Sequence, residues 1–452
     1  MFRYRKSPLV PALWMAVFVA MATGAYADPA NDLRSAAARG DTVRINELLD
    51  QGVAVDPATA GRRSALMEAA NRGQVEAVKR LLAAGAKVDA VDRQHRTALI
   101  LAIIAGHNEV VSLLLAAGAE PGISDANGKS PLYWAALRGR IEAAKLLLAN
   151  DADVNTTDND GITPLLIAAA RGDTTLLRLL VEQGADLEVI PESADYNALM
   201  ITAARGDVAN VRLLLDKGAK VNQVARDKDT ALLAAARDGH AEVVSLLLEH
   251  RANPEAVDRL SLRALFHAAS RGDMDMTDAL LKHGANANSQ DRYGTTPLMV
   301  AAGAGHIDLI DRLLDAGARI DAKDRRRGFT PLMSAVWTNQ ELAVTTLLDR
   351  GAPIDQTNDK GHTALFWAAN RGWDQLVPLL IERGADVNSA SNNGVTPLII
   401  AAAAGHTATV NALLKAGADP KLKDAKGKTA LEWAQQRKKQ KAAELLQAAP
   451  AD

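Results

Sequence analysis

Nine histidines and a recurring Arg-Gly-Asp string are the residues in this chain best suited to chemistry. Histidine is the commonest general base and a common zinc ligand, and either role requires side chains that converge. His107, His240, His306 and His406 each follow a glycine at one recurring position, and His250 and His283 share another. Equivalent positions in successive units stand about 10 Å apart, the spacing of packed helices. Zinc ligands gather within about 2 Å of the metal. The spacing therefore predicts structural histidines and no metal site. No Cys occurs, which excludes thiolate ligands, thiol redox chemistry and a Cys nucleophile. A nucleophile elbow, His-Glu-x-x-His, a phosphate-binding glycine loop and a paired-carboxylate motif are also missing. The chain is expected to be non-catalytic and to use no cofactor.

Arg-Gly-Asp stands at 39–41, 171–173, 205–207 and 271–273. As a string it points to cell adhesion. By register it is a helix-to-helix turn, with a structural glycine and an aspartate that caps the second helix. The arginine recurs more widely: Arg39, Arg72, Arg138, Arg171, Arg205, Arg271 and Arg371 all precede such a glycine. A row of guanidiniums offers five donors apiece to carboxylates or phosphates. The competing expectation is that these arginines pair with acidic loop residues such as Asp92, Asp125 and Asp158 and only solubilise the face. Tyr293, Trp337 and Trp373 interrupt polar sequence toward the C-terminal third. Aromatic and Arg side chains are the usual anchors of interfaces. Trp134, Trp367 and Trp433 lie in Ala-rich helical stretches and are expected in the core.

All these positions belong to a repeat of 33 or 34 residues. Gly-Ala pairs recur from Gly85-Ala86 to Gly417-Ala418, with Asp151-Ala152 and Arg251-Ala252 as degenerate copies in register. An opening leucine appears thirteen times, from Leu33 to Leu431, and a second leucine twelve times, from Leu48 to Leu413. A unit of this length is a pair of short helices that can bury its apolar face only against its neighbours. In residues 128–161, Ser130 is placed to cap the first helix and Pro131 occupies its first turn. Leu132, Ala135 and Ala136 form an apolar stripe at helical spacing, and Gly139 ends the helix. Ile141, Ala144, Leu147 and Leu148 repeat the pattern, and the polar stretch from Asn155 to Asp160 returns the chain. The period lengthens to 34 after Gly184 and after Gly317. The extra residues are placed near Pro191 and in Arg325-Arg326-Arg327, whose loop tips should protrude or distort.

Thr163-Pro164-Leu165, Thr296-Pro297-Leu298, Thr330-Pro331-Leu332 and Thr396-Pro397-Leu398 are followed by Ala-Ala, Gly-His and Leu-Leu-x-x-Gly-Ala-x-x-Asn. This pattern resembles the ankyrin repeat over nearly the whole chain. The resemblance implies an all-α solenoid of about thirteen helix-turn-helix units with short connecting hairpins. It would run over 28–449 as a single array, with terminal caps at 31–52 and 429–449 and a disordered tail at 450–452. One departure is systematic: the family's histidine after Thr-Pro-Leu is apolar here, as at Met67, Ile100, Tyr133 and Phe366, with Glu432 in the last unit. The hydrogen bonds of that histidine should give way to packing, leaving the hairpins less tightly held. A final helix is expected from Leu431 to Ala449, its basic run a solvated cap.

The resemblance also puts the arginine row toward the concave side and implies protein binding there and at the hairpin tips. A hydrolase with a cleft formed by the curvature is the alternative. The expected partner is a protein or extended peptide, acidic if the arginines bind it, and the chain itself is expected to be monomeric.

Arg3, Arg5 and Lys6 precede an apolar stretch from Leu9 to Ala22, and Ala25-Tyr26-Ala27 offers a cleavage site. That is the pattern of a secretory signal peptide at 1–27. The competing reading, a retained anchor, meets Pro11 and Gly24 and fewer than the roughly 20 apolar residues that span a bilayer. Export without disulfides points to a bacterial periplasm, or to the medium beyond it. Cleavage would take the net charge from −2 to −5 and leave no stable membrane insertion. A nucleic-acid binder would instead carry concentrated positive charge.

Overall fold

The structure is a computed structural model that describes residues 28–57 and 63–448. The expected signal peptide and C-terminal tail lie outside the described residues. Among those described, the chain forms 26 helices, paired thirteen times, and no strand. They make two compact units, one up to Ala194 and one from Asp195. The first holds five helix pairs and the second eight. The boundary falls in the lengthened loop that contains Pro191.

Each pair follows from local chemistry. In the pair Pro131–Arg138 and Ile141–Leu148, Ser130 Oγ accepts from the Tyr133 N–H at 3.1 Å, satisfying an orphan donor of the first turn. Threonines do the same before Leu166, Leu233 and Ile399. Gly206 shows why glycine separates the two helices. It sits at φ 70°, and a Cβ there would lie 2.5 Å from the His240 ring. Asp151 and Arg251, the degenerate copies, adopt the same left-handed conformation at φ 62° and 66°.

Packing joins neighbours. The main helix pairings lie within a pair or between adjacent pairs. The opening leucines from Leu33 to Leu398 are buried, whereas Leu431 is half-exposed, as expected where no further helix pair follows among the described residues. The apolar substitutes for the family's histidine are buried as well, with Met67 at 1% and Phe366 at 5% exposure.

Hydrogen bonds staple one pair to the next. Asn222 Oδ1 accepts from the Asn253 N–H at 2.8 Å while its Nδ2 donates to Arg251 O at 3.0 Å. Asn288 repeats both bonds with Arg319 and Gly317. The recurring histidines also bridge pairs. A ring nitrogen of His240 bonds Ala204 O at 3.0 Å, His306 bonds Ser270 O and His406 bonds Asn370 O. Gln74 does this with its amide, bonding Ala38 O at 3.3 Å.

Two expectations need correction. The loop tips are not loosened by the missing histidine, because a buried acceptor at the start of each of several tips gathers their N–H groups. Asp125 Oδ1 accepts from Asn127 and Lys129, and Asp158 Oδ1 from Asp160 and Ile162. Successive tips are also tied by backbone, as in Asn159 N–H to Asn127 O at 3.0 Å. The expected single helix from Leu431 to Ala449 is in fact two, Ala430–Gln436 and Gln440–Gln447. Lys438 takes the glycine position between them at φ 59°.

The two extra residues act at the tips. Elsewhere a tip closes with an N–H to O bond across four residues, as from Asp291 to Thr295; at Arg325–Arg327 the bond runs from Asp324 to Phe329. The turn widens by one residue. At the other site Pro191 replaces the aspartate, and Ser193 Oγ supplies the tie to Asp160 O at 2.6 Å.

Candidate interaction surface

The C-terminal ends of the first helices carry the arginine row, and all seven members are exposed. Among the described residues none of them forms an ion pair. The expected pairing with Asp92, Asp125 and Asp158 therefore does not occur. Asp92 is taken by Arg96 at 2.8 Å and Arg63 at 3.5 Å. Burial pushes the Asp92 carboxyl up, but the Arg96 hydrogen bonds and charge outweigh it and hold the group below its usual range. Asp125 accepts from Trp134 Nε1 at 3.1 Å, and burial together with nearby Asp158 pushes the Tyr133 phenol up.

The row is not uniform. Arg171 donates to Leu137 O at 3.1 Å and Arg271 to Arg237 O at 2.6 Å, so each ties its own pair to the preceding one. Arg138 lies 5.7 Å over Trp134 and Arg371 3.8 Å over Trp337. The side chains of Arg39, Arg72 and Arg205 make no such contact among the described residues. The Arg-Gly-Asp aspartates are caps: Asp41, Asp173, Asp207 and Asp273 accept from the N–H groups of Arg44, Leu176, Asn210 and Met276.

In the second unit the aromatic residues gather. Tyr293 and Trp337 line one cleft of about 240 Å³ together with Arg326, Arg327 and Phe329. A second cleft, of about 520 Å³, is lined by Arg326, Arg327, Phe329, Lys360, His362 and Trp367, among others. Phe329, Trp337 and Trp367 meet pairwise with centroids 5.1 to 5.7 Å apart and planes steeply inclined. His362 stacks on Phe366 at 3.9 Å. Burial, and then the charge of Lys360, hold its imidazole below the ordinary value. Arg327 stands 5.1 Å over Trp337, and Arg292 4.7 Å over Tyr293.

Of the three aromatic residues singled out by the sequence, Tyr293 and Trp337 line one cleft, and the cleft linings do not include Trp373. That residue lies in the turn between helices Ala364–Arg371 and Leu376–Glu382, at the position His306 and His406 fill elsewhere. Phe329, Trp367, His362, Arg326 and Arg327 also line these clefts, and the sequence had not pointed to them as site residues. The expectation that Trp134, Trp367 and Trp433 are core is also wrong, since all three are only half-buried. Trp134 and Trp433 instead lie beside cations, with Lys428 5.0 Å over Trp433. A separate polar cluster sits nearby in the chain, where Arg237 donates to Asp229 at 2.7 Å and to the Tyr196 hydroxyl at 2.6 Å. Among the described residues no group of three or more His, Asp or Glu is placed to hold a metal.

A family model described as ankyrin repeats (3 copies) matches residues 33–125, 117–191, 165–258, 265–358 and 332–424. Paired short helices, a shared register and these matches make the chain a member of the ankyrin repeat family. Such repeats are scaffolds for protein–protein interaction, and that is the class of function the chain has. No curated protein matches it.

Proposed function

We propose that this chain is an exported, non-catalytic scaffold that holds an acidic polypeptide partner on the face carrying its first helices and loop tips. The observation that supports this most directly is the exposed arginine row, whose members form no ion pair among the described residues. Guanidiniums left with free N–H edges suit carboxylates of a partner. The competing hydrolase would need a carboxylate pair or a Ser-His-Asp set in a cleft. Each of four clefts on the surface presents one carboxylate only: Glu76, Asp324, Asp359 or Glu444. The export part of the proposal rests on the N-terminal sequence. No helix among the described residues is long and apolar enough to cross a membrane.

The test is affinity capture from the periplasmic or secreted fraction with wild type and with Arg138, Arg171 and Arg205 all changed to Ala. Capture of the partner should weaken by about one to two orders of magnitude, each order being about 1.4 kcal/mol. Helicity should be retained, with a small loss of stability traceable to the Arg171 bond and the Arg138–Trp134 contact. Equal recovery by both proteins would refute the role of the row.

A further inference from the structure

Three tryptophans occupy one position in the repeat, the fourth residue of the first helix, and two of them are partnered alike. Trp134 donates Nε1 to Asp125 Oδ2 at 3.1 Å, and Trp433 donates Nε1 to Asp424 Oδ2 at 2.8 Å. In both cases the acceptor stands nine residues earlier, at the start of the loop tip. The third tryptophan, Trp367, has Asn358 in that place. Asn358 Oδ1 still gathers the tip, accepting from the Lys360 and His362 N–H groups at 2.9 Å each. Its other side-chain atom must then be the amide nitrogen, a donor, where Asp125 and Asp424 offer a carboxylate oxygen. Among the described residues Trp367 Nε1 is buried without a hydrogen-bond partner.

This substitution falls in a cationic setting. Asn358 and Trp367 line the 520 Å³ cleft together with Arg326, Arg327 and Lys360, against a single carboxylate, Asp359. Arg327 stays on the Phe329 and Trp337 rings without an ion pair, and Arg326 leans toward Tyr293 at 5.8 Å. Asn358 thus removes from this cleft the carboxylate that Asp125 and Asp424 supply in their own units, and leaves its cations to an acceptor from outside. The adjoining 240 Å³ cleft between Tyr293 and Trp337 is lined by aromatic rings and suits an apolar or aromatic side chain.

We infer that this double cleft is the anchoring subsite for an acidic segment of the partner polypeptide. One Asp or Glu of that segment puts its carboxylate into the 520 Å³ cleft, beside Asn358 and within reach of Arg326, Arg327 and Lys360. A neighbouring apolar residue enters the cleft beside Trp337. The inference rests on the scaffold reading above and adds which part of the surface selects for a carboxylate.

The test uses the full chain and short end-blocked peptides that alternate Glu with Phe, compared with the same peptides carrying Gln for Glu, followed by tryptophan fluorescence and calorimetry. Wild type should bind the acidic peptide at least about tenfold more tightly than the Gln peptide. Asn358→Asp recreates the arrangement at Trp134, so it should fold with an unchanged or higher melting temperature and yet lose about tenfold or more in peptide affinity. Arg326→Ala, at an exposed side chain, should weaken the acidic peptide and leave the Gln peptide alone. Equal affinity for the two peptides, or full binding by Asn358→Asp, would overturn the subsite. So would preferential binding of a single-stranded oligonucleotide. Such a failure stays distinct from failure of the scaffold reading, because capture that still depends on Arg138, Arg171 and Arg205 would stand without this subsite.

Discussion

Arg371 lies with its guanidinium carbon 3.8 Å from the ring centroid of Trp337, joining the ends of two successive first helices, Pro331–Trp337 and Ala364–Arg371. The same indole meets Arg327 from the loop tip at 5.1 Å and Trp367 at 5.1 Å. A tip, two first helices and two units of the repeat therefore meet on one side chain. The aromatic patch is part of the packing between units as well as a surface.

Removing the cation from this contact should cost stability without disturbing the fold. Arg371→Ala is expected to lose about 1 kcal/mol, the worth of a partly shielded cation–π pair. For a unit of this size that is a fall of roughly 2–4 °C in melting temperature. Arg371→Lys should lose less. Thermal melts followed by circular dichroism, together with the Trp337 emission maximum, would check it; an Ala variant as stable as wild type would show that the contact contributes nothing.

Arg251 offers the opposite experiment. It occupies a left-handed position at φ 66° that most units give to glycine, and its side chain is exposed. That conformation costs an L-residue about 1–2 kcal/mol, and glycine's extra freedom in the unfolded chain offsets up to about 1 kcal/mol. Arg251→Gly should therefore raise the urea midpoint modestly. The carbonyl that Asn222 Nδ2 bonds belongs to the backbone and survives the change. A lower midpoint would mean that the arginine side chain holds the turn in a way the structure does not show.

Much of this was legible in the sequence because the repeat writes the same physics many times. Opening leucines, Ser and Thr caps and glycine turns all fell where their spacing put them, since each serves a local requirement copied from unit to unit. What escaped were positions where one unit departs from the rest. Lys438 does a glycine's work, so the break in the last helix pair left no Gly to read. Trp367 sits among alanines like a core residue, yet the fourth position of that helix faces the loop tip. Alignment of Trp134 with Asp125 and of Trp433 with Asp424 carries the signal, and it becomes informative only when the absence of an acid at Asn358 is noticed. The arginine row was visible, but its division into members that tie units together and members that stay free depends on carbonyls no sequence pattern marks.

Alkaline titration of wild type against Tyr196→Phe should isolate the Tyr196 phenol. Burial, followed by the hydrogen bond to Asp229, pushes its phenol up to about 12, with Arg237 opposing. A tyrosine in the unfolded chain ionises at roughly 10. The folded pKa is raised, so the stabilisation is fully present below about 10 and is lost as pH climbs toward the folded value. The phenolate absorbance of wild type minus that of Tyr196→Phe should rise late, and the stability gap between the two proteins should narrow over that window. Ionisation of Tyr196 at roughly 10, like a free phenol, would contradict the buried pairing with Asp229.

The final prediction concerns where the mature chain begins. Asp28 caps the first helix, Pro29–Arg39, by accepting from the Ala30 N–H at 3.2 Å, and lies 3.8 Å from Arg34. Cleavage after Ala27 would leave this cap intact, whereas cleavage even one residue later would remove it and cost about 1 kcal/mol. The carboxylate at the helix N-terminus also favours the backbone dipole there and offsets the new terminal ammonium. N-terminal sequencing of the fractionated protein should therefore read Asp28 first, in the periplasmic or secreted fraction and without detergent. A membrane-bound chain that retains Met1 would establish the anchor instead, and full-length chain in the cytoplasm would overturn export while leaving the helix pairs untouched.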